Sequence, residues 1–284
     1  MFGQLLIGLI NGSFYALLSL GLAVIFGLLN IINFTHGAQY MLGAFCAYLL
    51  LNKLGIGYWW SLALSPVIVG ITGVIIERTM LSKLYKLDHL YGLLLTFGLA
   101  LIIQGLFRNE FGSSGLPYRI PQELQGAQNL GFMFLPNYRA WVIVVSLVVC
   151  LATWYVIERT KLGAYLRAAT ENPQLVQAFG INVPRMITLT YGFGVALAAF
   201  AGVMAAPIYQ VNPLMGADLI IVVFAVVVIG GMGSIMGAIV TGFGLGIIEG
   251  LTKVFYPEAS NTVIFVIMAI VLMFKPAGLF GTQK

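Results

Sequence analysis

The sequence predicts an all-α, polytopic helical membrane protein with about eight or nine transmembrane segments, some of them broken or re-entrant. Three observations carry that prediction. The chain has 284 residues, of which 60% are hydrophobic and 8% charged, with a mean hydropathy of +1.00. Its first charged side chain is Lys53. Apolar runs near the roughly 20 residues that a spanning helix needs recur along the whole length. Helices are the expected element, because a helix closes its own backbone hydrogen bonds where no water is available.

Taken in order, the spans fall at roughly 5–29, 36–53, 58–77, 90–108, 139–157, 185–207, 217–232, 235–254 and 260–274. The stretch 217–254 also reads as one interrupted segment, which leaves eight or nine crossings. The amino terminus enters an apolar run with no positive leader, so it reads as a first span. Cys46 and Cys150 lie inside apolar runs and read as small buried hydrophobes. The whole chain, 1–284, is expected to be a single transmembrane domain.

Polar connections lie at 78–89, 109–138, 158–184 and 255–259. The loop 109–138 carries Pro117, Pro121 and Pro136 and is expected to be an ordered surface loop. The motif IERT occurs at 76–79 and at 157–160, each time after an apolar run and two spans apart, so both copies end on one side. With that side cytoplasmic, Arg78, Lys83, Lys86, Arg159, Lys161, Arg167, Arg185, Lys275 and Lys284 face inward, against Lys53, Arg108, Arg119, Arg139 and Lys253 outward. This bias favours an external amino terminus and a cytoplasmic carboxyl terminus. The net charge of +5 is scattered, which does not point to nucleic acid.

The connection 158–184 is mixed-charge and helix-forming. Asn172-Pro173 marks a break between two short helices, Gly180 can end the second, and Pro184 can start the next span. A hairpin projecting from the bilayer reads either as a solvated linker or as a docking site for a cytoplasmic partner.

Small residues recur every fourth position at Gly230, Ser234, Ala238, Gly242, Gly246 and Gly250. Helices in lipid associate by close backbone approach, which this ridge permits. Gly230, Gly231 and Gly233 allow a sharp turn, and the small-residue run 193–206 should also lie against a neighbour.

The stretch 27–45, GLLNIINFTHGAQYMLGAF, sets Asn30, Asn33, Thr35, His36 and Gln39 among apolar residues. It reads as a hinge or cap or as part of a substrate path. Together with Gly231, Gly233 and Ser234 it forms the candidate path, because broken helices expose backbone ends inside a bundle. Neither His36 nor His89 has a carboxylate or cysteine at ligand spacing, so a metal site or hydrolase is not expected. Glu249 lies inside a span with Lys253 at i+4 as a partner. Asp218 opens a span, where a helix amino terminus favours an anion. Asn11 and Gln104 read as inter-helix hydrogen-bonding groups. No lysine follows the Gly-x4-Gly-Lys pattern of an ATP-binding loop.

The stretches GSFYALLSLGLAVIFGLLNIINFTHGAQYMLGAF at 12–45, IERT, RAATENPQLVQAFGINVPRM, VVIGGMGSIMGAIVTGFGLGIIE and the terminal KPAGLFG together resemble the permease subunits of branched-chain amino acid ABC importers. The chain is similar to the shorter of the two paired permeases. The resemblance implies a non-catalytic subunit of the bacterial inner (cytoplasmic) membrane. It implies a second homologous permease, two cytoplasmic ABC ATPases that bind the ATP and Mg, and a periplasmic or extracellular substrate-binding protein. This chain itself is then expected to hold no cofactor. Arg167, Glu171, Asn172, Ala178 and Gly180 become the expected ATPase-coupling region. The same family implies branched-chain amino acids as substrates, with urea or short amides as the alternative. An independent ion-coupled carrier is the alternative of another class.

Overall fold

A computed structural model describes residues 2–29, 33–85, 87–131 and 133–281. Among them are eleven α-helices and one two-stranded hairpin. Nine helices are apolar: α1 (Phe2–Leu29), α2 (Thr35–Leu54), α3 (Tyr58–Thr79), α4 (His89–Phe111), α5 (Asn137–Arg159), α8 (Val183–Tyr209), α9 (Ala217–Gly230), α10 (Ile235–Phe255) and α11 (Val263–Phe274). Two are short and polar, α6 (Lys161–Glu171) and α7 (Pro173–Ala178). The helices thus follow the predicted spans closely. Six of them, α1, α3, α4, α5, α8 and α10, are long and apolar enough to cross a membrane. At 1.5 Å per residue, α9 and α11 reach only about 21 and 18 Å, short of the roughly 30 Å hydrocarbon core.

Local chemistry sets the ends. Asp88 caps α4 by accepting from the Leu90 N–H at 2.8 Å, Asn172 caps α7 through Leu175, Asn182 caps α8 through Arg185, and Ser234 caps α10 through Gly237. Gly55 ends α2 in the left-handed region, where its N–H and that of Ile56 reach the carbonyls of Leu51 and Leu50.

Packing depends on missing side chains. Among the described residues, the antiparallel helices α1 and α10 share the most extensive contact. A Cβ on Gly246 would lie 2.4 Å from the Gly12 Cα, and one on Gly242 would lie 2.6 Å from the Ala16 Cα. The predicted ridge is therefore divided: Gly242, Gly246 and Gly250 face α1, whereas Gly230 meets Gly237 and Ala238 across the α9–α10 turn. Helix α8 occupies the centre, with Gly192 against α3, Gly194 against α1 and Gly202 against α2. The helices α3, α4 and α5 turn Ile71, Leu94, Leu101, Val144 and Val148 outward, as a lipid-facing layer must.

Residues 112–131 and 133–136 fold over the end of the bundle away from the IERT motifs. They contain the strands β1 (Ala127–Asn129) and β2 (Phe134–Pro136), a mutual pair of hydrogen bonds between Leu116 and Val211, and a buried Tyr118. Tyr58 and Tyr138 join hydroxyls beneath them at 2.9 Å, and Tyr138 also donates to the Met204 carbonyl. Both IERT copies lie at the opposite end, as predicted. Cys46 and Cys150 are free.

Candidate functional site

Two polar clusters and one protruding hairpin interrupt the apolar bundle. The first cluster is the knot at the start of α2. This helix starts inside the bundle rather than at its edge, because His36 lies level with Leu18 and Gly21 of α1, about two turns short of that helix's end. Asn33, Thr35, His36 and Gln39 are each at most 1% exposed. Asn33 Nδ2 donates to the Tyr191 hydroxyl at 3.1 Å and to Gln39 Oε1 at 3.4 Å, Thr35 donates to Asn33 Oδ1, and His36 Nε2 donates to the Leu18 carbonyl at 3.0 Å. The Phe34 N–H finds Thr96 of α4 at 3.2 Å. The knot therefore ties the start of α2 to α1 and α8 through side chains, while no side chain caps the helix and its His36 N–H meets the Asn33 carbonyl at 3.2 Å. Asn30 lies outside the described residues.

Next to the knot the second broken helix begins. Gly216, just before α9, touches Gly37: a Cβ on Gly216 would come within 1.9 Å of the Gly37 carbonyl oxygen. At its other end α9 stops at Gly231, with φ +104°, and the chain turns through Gly233, with φ +86°. The carbonyls of Ile229 and Gly230 accept from Leu279 and Phe280, so the terminal KPAGLFG segment closes that helix end. Gly231, Gly233 and Ser234 therefore sit in a capped turn on the IERT side, beyond the second half of α9 from the knot, since Phe34 stacks on Phe224.

The second cluster lies toward the other end of the bundle. Glu249 is 4% exposed. It pairs with Lys253, accepts from the Tyr15 hydroxyl at 2.7 Å and from Asn11 Nδ2 at 3.3 Å, and Tyr209 donates to Asn11 Oδ1 at 2.8 Å. The predicted i+4 partner and the inter-helix role of Asn11 are both present. Beside this cluster, Asn11, Tyr15, Tyr40, Tyr209 and Asp218 line a cavity of about 280 Å³.

The hairpin of α6 and α7 stands on the IERT side. Arg167 donates to the Ile157 carbonyl at 2.9 Å and pairs with Glu158 at 3.3 Å. Glu171 ends α6 and is exposed, Asn172 caps α7, Ala178 is its exposed last residue, and Gly180 takes φ +84°. Leu175 and Phe179 stand in the open, Phe179 at 77% exposure. A second cavity, about 570 Å³, lies between this hairpin and the α9–α10 turn, and it brings Arg167 and Glu171 together with Gly233 and Ser234.

Several residues carry this geometry without having stood out in the sequence. Gly163 is one: its Cβ would meet the Ile157 carbonyl oxygen at 1.5 Å, so α6 rests on the end of α5 backbone to backbone. Glu77 is another. It is buried and accepts from Tyr85 and Thr188 at 2.6 and 2.7 Å, whereas Glu158 in the second IERT copy is exposed. Burial and the bond to Glu77 push the Tyr85 phenol above its ordinary value. Tyr15, Tyr40, Tyr191 and Tyr209 likewise show no motif, because an aromatic in an apolar run reads as core.

Residues 4–272 match the family model described as branched-chain amino acid transport system / permease component. The chain is 30% identical over 296 residues to the high-affinity branched-chain amino acid transport system permease protein LivH of Escherichia coli, covering 99% of this chain and 96% of the relative. It is 31% identical to BraD of Pseudomonas aeruginosa, a protein of the same description, with the same coverage. Similarity to the E. coli permease protein LivM is weaker, 27% identity covering 95% of this chain and 68% of that protein.

Proposed function

The chain belongs to the family of branched-chain amino acid transport permease components, and on that premise we propose that it is the transmembrane permease subunit of an ABC importer of branched-chain amino acids. The observation that carries the reading is the match of the family model to residues 4–272, nearly the whole chain. The chain works beside a second, related permease. Its lack of a phosphate-binding lysine motif puts ATP hydrolysis on separate ATPase subunits, and a binding protein delivers the amino acid from outside.

The protruding hairpin supports a reading of where the ATPase acts. With the IERT side cytoplasmic, the α6–α7 hairpin meets the ATPase. Exposed Leu175 and Phe179 offer an apolar contact, and Asn172 and Gly180 fix the two bends of the hairpin. Because α6 seats on α5 through Gly163, a push on the hairpin moves the α5 end directly. The pair of permeases then rocks between inward- and outward-facing states around a central path.

Co-purification tests this assignment. The chain expressed with its partner permease and ATPases is expected to bring the ATPases down. Gly180→Val forces a β-branched residue into the left-handed region at a cost of about 1–2 kcal/mol. It should weaken that capture by about tenfold. If Gly180→Val and Glu171→Ala both assemble and transport as the parent does, the coupling assignment is wrong. If the chain alone drives uptake under an ion gradient, it is a secondary carrier.

A further inference from the structure

The cavity beside Glu249 is built from four helices. Asn11, Phe14 and Tyr15 come from α1, Tyr40 from α2, Tyr209 from α8, and Asp218 from α9. At about 280 Å³ it falls just under the roughly 300–1,000 Å³ of pockets for drug-sized ligands. It therefore suits a smaller solute.

Its chemistry has a sign. Glu249, behind the wall, is already neutralised by Lys253 and bonded by Tyr15 and Asn11. Asp218 is exposed at the cavity and makes no ion pair among the described residues. Phe14, Tyr15, Tyr40 and Tyr209 line the same cavity. Tyr40 is fully buried, yet its hydroxyl has no hydrogen-bond partner. Gln210, next to Tyr209, is held at φ +62°, a conformation that non-glycine residues seldom take and that clusters at functional sites.

We infer that this cavity receives the ammonium group of the transported amino acid, with Asp218 as its counter-charge. The inference rests on the importer reading above and assigns that path a polarity. The substrate side chain lies against Phe14, Met215 and Leu219. A neutral amide or urea brings no cation for Asp218, and a carboxylate that carries no ammonium, as in the deaminated analogue, is repelled by it.

The test uses the assembled importer in proteoliposomes with the diazirine analogue of leucine and the same analogue lacking its amino group. After illumination under transport conditions, the leucine analogue is expected to label peptides that line this cavity, and the deaminated one is not. Asp218→Asn should lower both that labelling and leucine uptake by about tenfold, because a charge-assisted contact is lost. Asp218→Glu should keep most of both. The proposal is overturned if the label falls elsewhere, if the deaminated probe labels equally, or if Asp218→Asn transports within twofold of the parent. If the parent importer accumulates urea but no leucine, the substrate reading falls and takes this site with it.

Discussion

The knot around Asn33 and the cluster around Glu249 are both polar, both buried, and both built from residues far apart in the chain, yet they differ in two ways. The knot holds no acid, lysine or arginine: Asn33, Thr35, Gln39 and Tyr191 bond one another, and His36 reaches the Leu18 carbonyl. The Glu249 cluster carries an ion pair and borders a cavity, and a free carboxylate lies on that cavity's wall. Polar residues at membrane depth are thus not one class. The knot links three helices through side chains, whereas the charged cluster borders open volume, where the proposed ammonium site lies. The two meet at the Gly37–Gly216 contact, where the knot's helix touches the start of α9.

That contact offers the most forceful way to break the comparison. Gly216→Val puts a branched side chain where the Gly37 carbonyl already sits. It is expected to cost about 3 kcal/mol or more. Both clusters should fail together, seen as loss of the monodisperse peak in detergent size exclusion. Glu249→Ala strands Tyr15, Asn11 and Lys253, a loss of about 2–3 kcal/mol. A thermal unfolding midpoint would read it, and a parent-like midpoint would mean the cluster contributes no stability. Asn33→Leu removes the hub of the knot and should cost about 1–2 kcal/mol, since side-chain bonds between membrane helices average near 0.6 kcal/mol each. Uptake per assembled complex should stay within about twofold, because the knot's groups face one another. Normal assembly with altered uptake would instead move the knot into the substrate path. Tyr191→Phe, which removes one shared hydroxyl, should cost only about 0.6 kcal/mol.

Much of this was legible in the sequence, for physical reasons. Spans could be read because lipid demands long apolar runs, and the turns at 172–173 and 231–233 because proline and glycine fix the backbone. The ridge ending at Gly250 was visible because close approach requires a regular absence of side chains. Its division between α1 and α9 was not, since spacing says nothing about which neighbour each glycine meets. The Glu249–Lys253 pair was local and therefore readable. The contributions of Asn11, Tyr15 and Tyr209 come from other helices, up to 238 residues away along the chain. Asn33 and Gln39 stood out as polar, but their partner Tyr191 lies 158 residues from Asn33 and looks like any core aromatic. Gly163 shows the same limit, because the backbone it rests on is six residues back around a turn that composition does not specify.

The central claim is that this chain moves amino acids only as the membrane part of an ATP-driven assembly. The direct measurement is uptake of labelled leucine and urea into proteoliposomes holding the chain, its partner permease and the ATPases, with the binding protein added outside and ATP inside. The account predicts that leucine accumulates, that urea does not, and that omitting ATP, the ATPases or the binding protein abolishes uptake. Accumulation of leucine by the chain alone, or of urea in place of leucine, would contradict it.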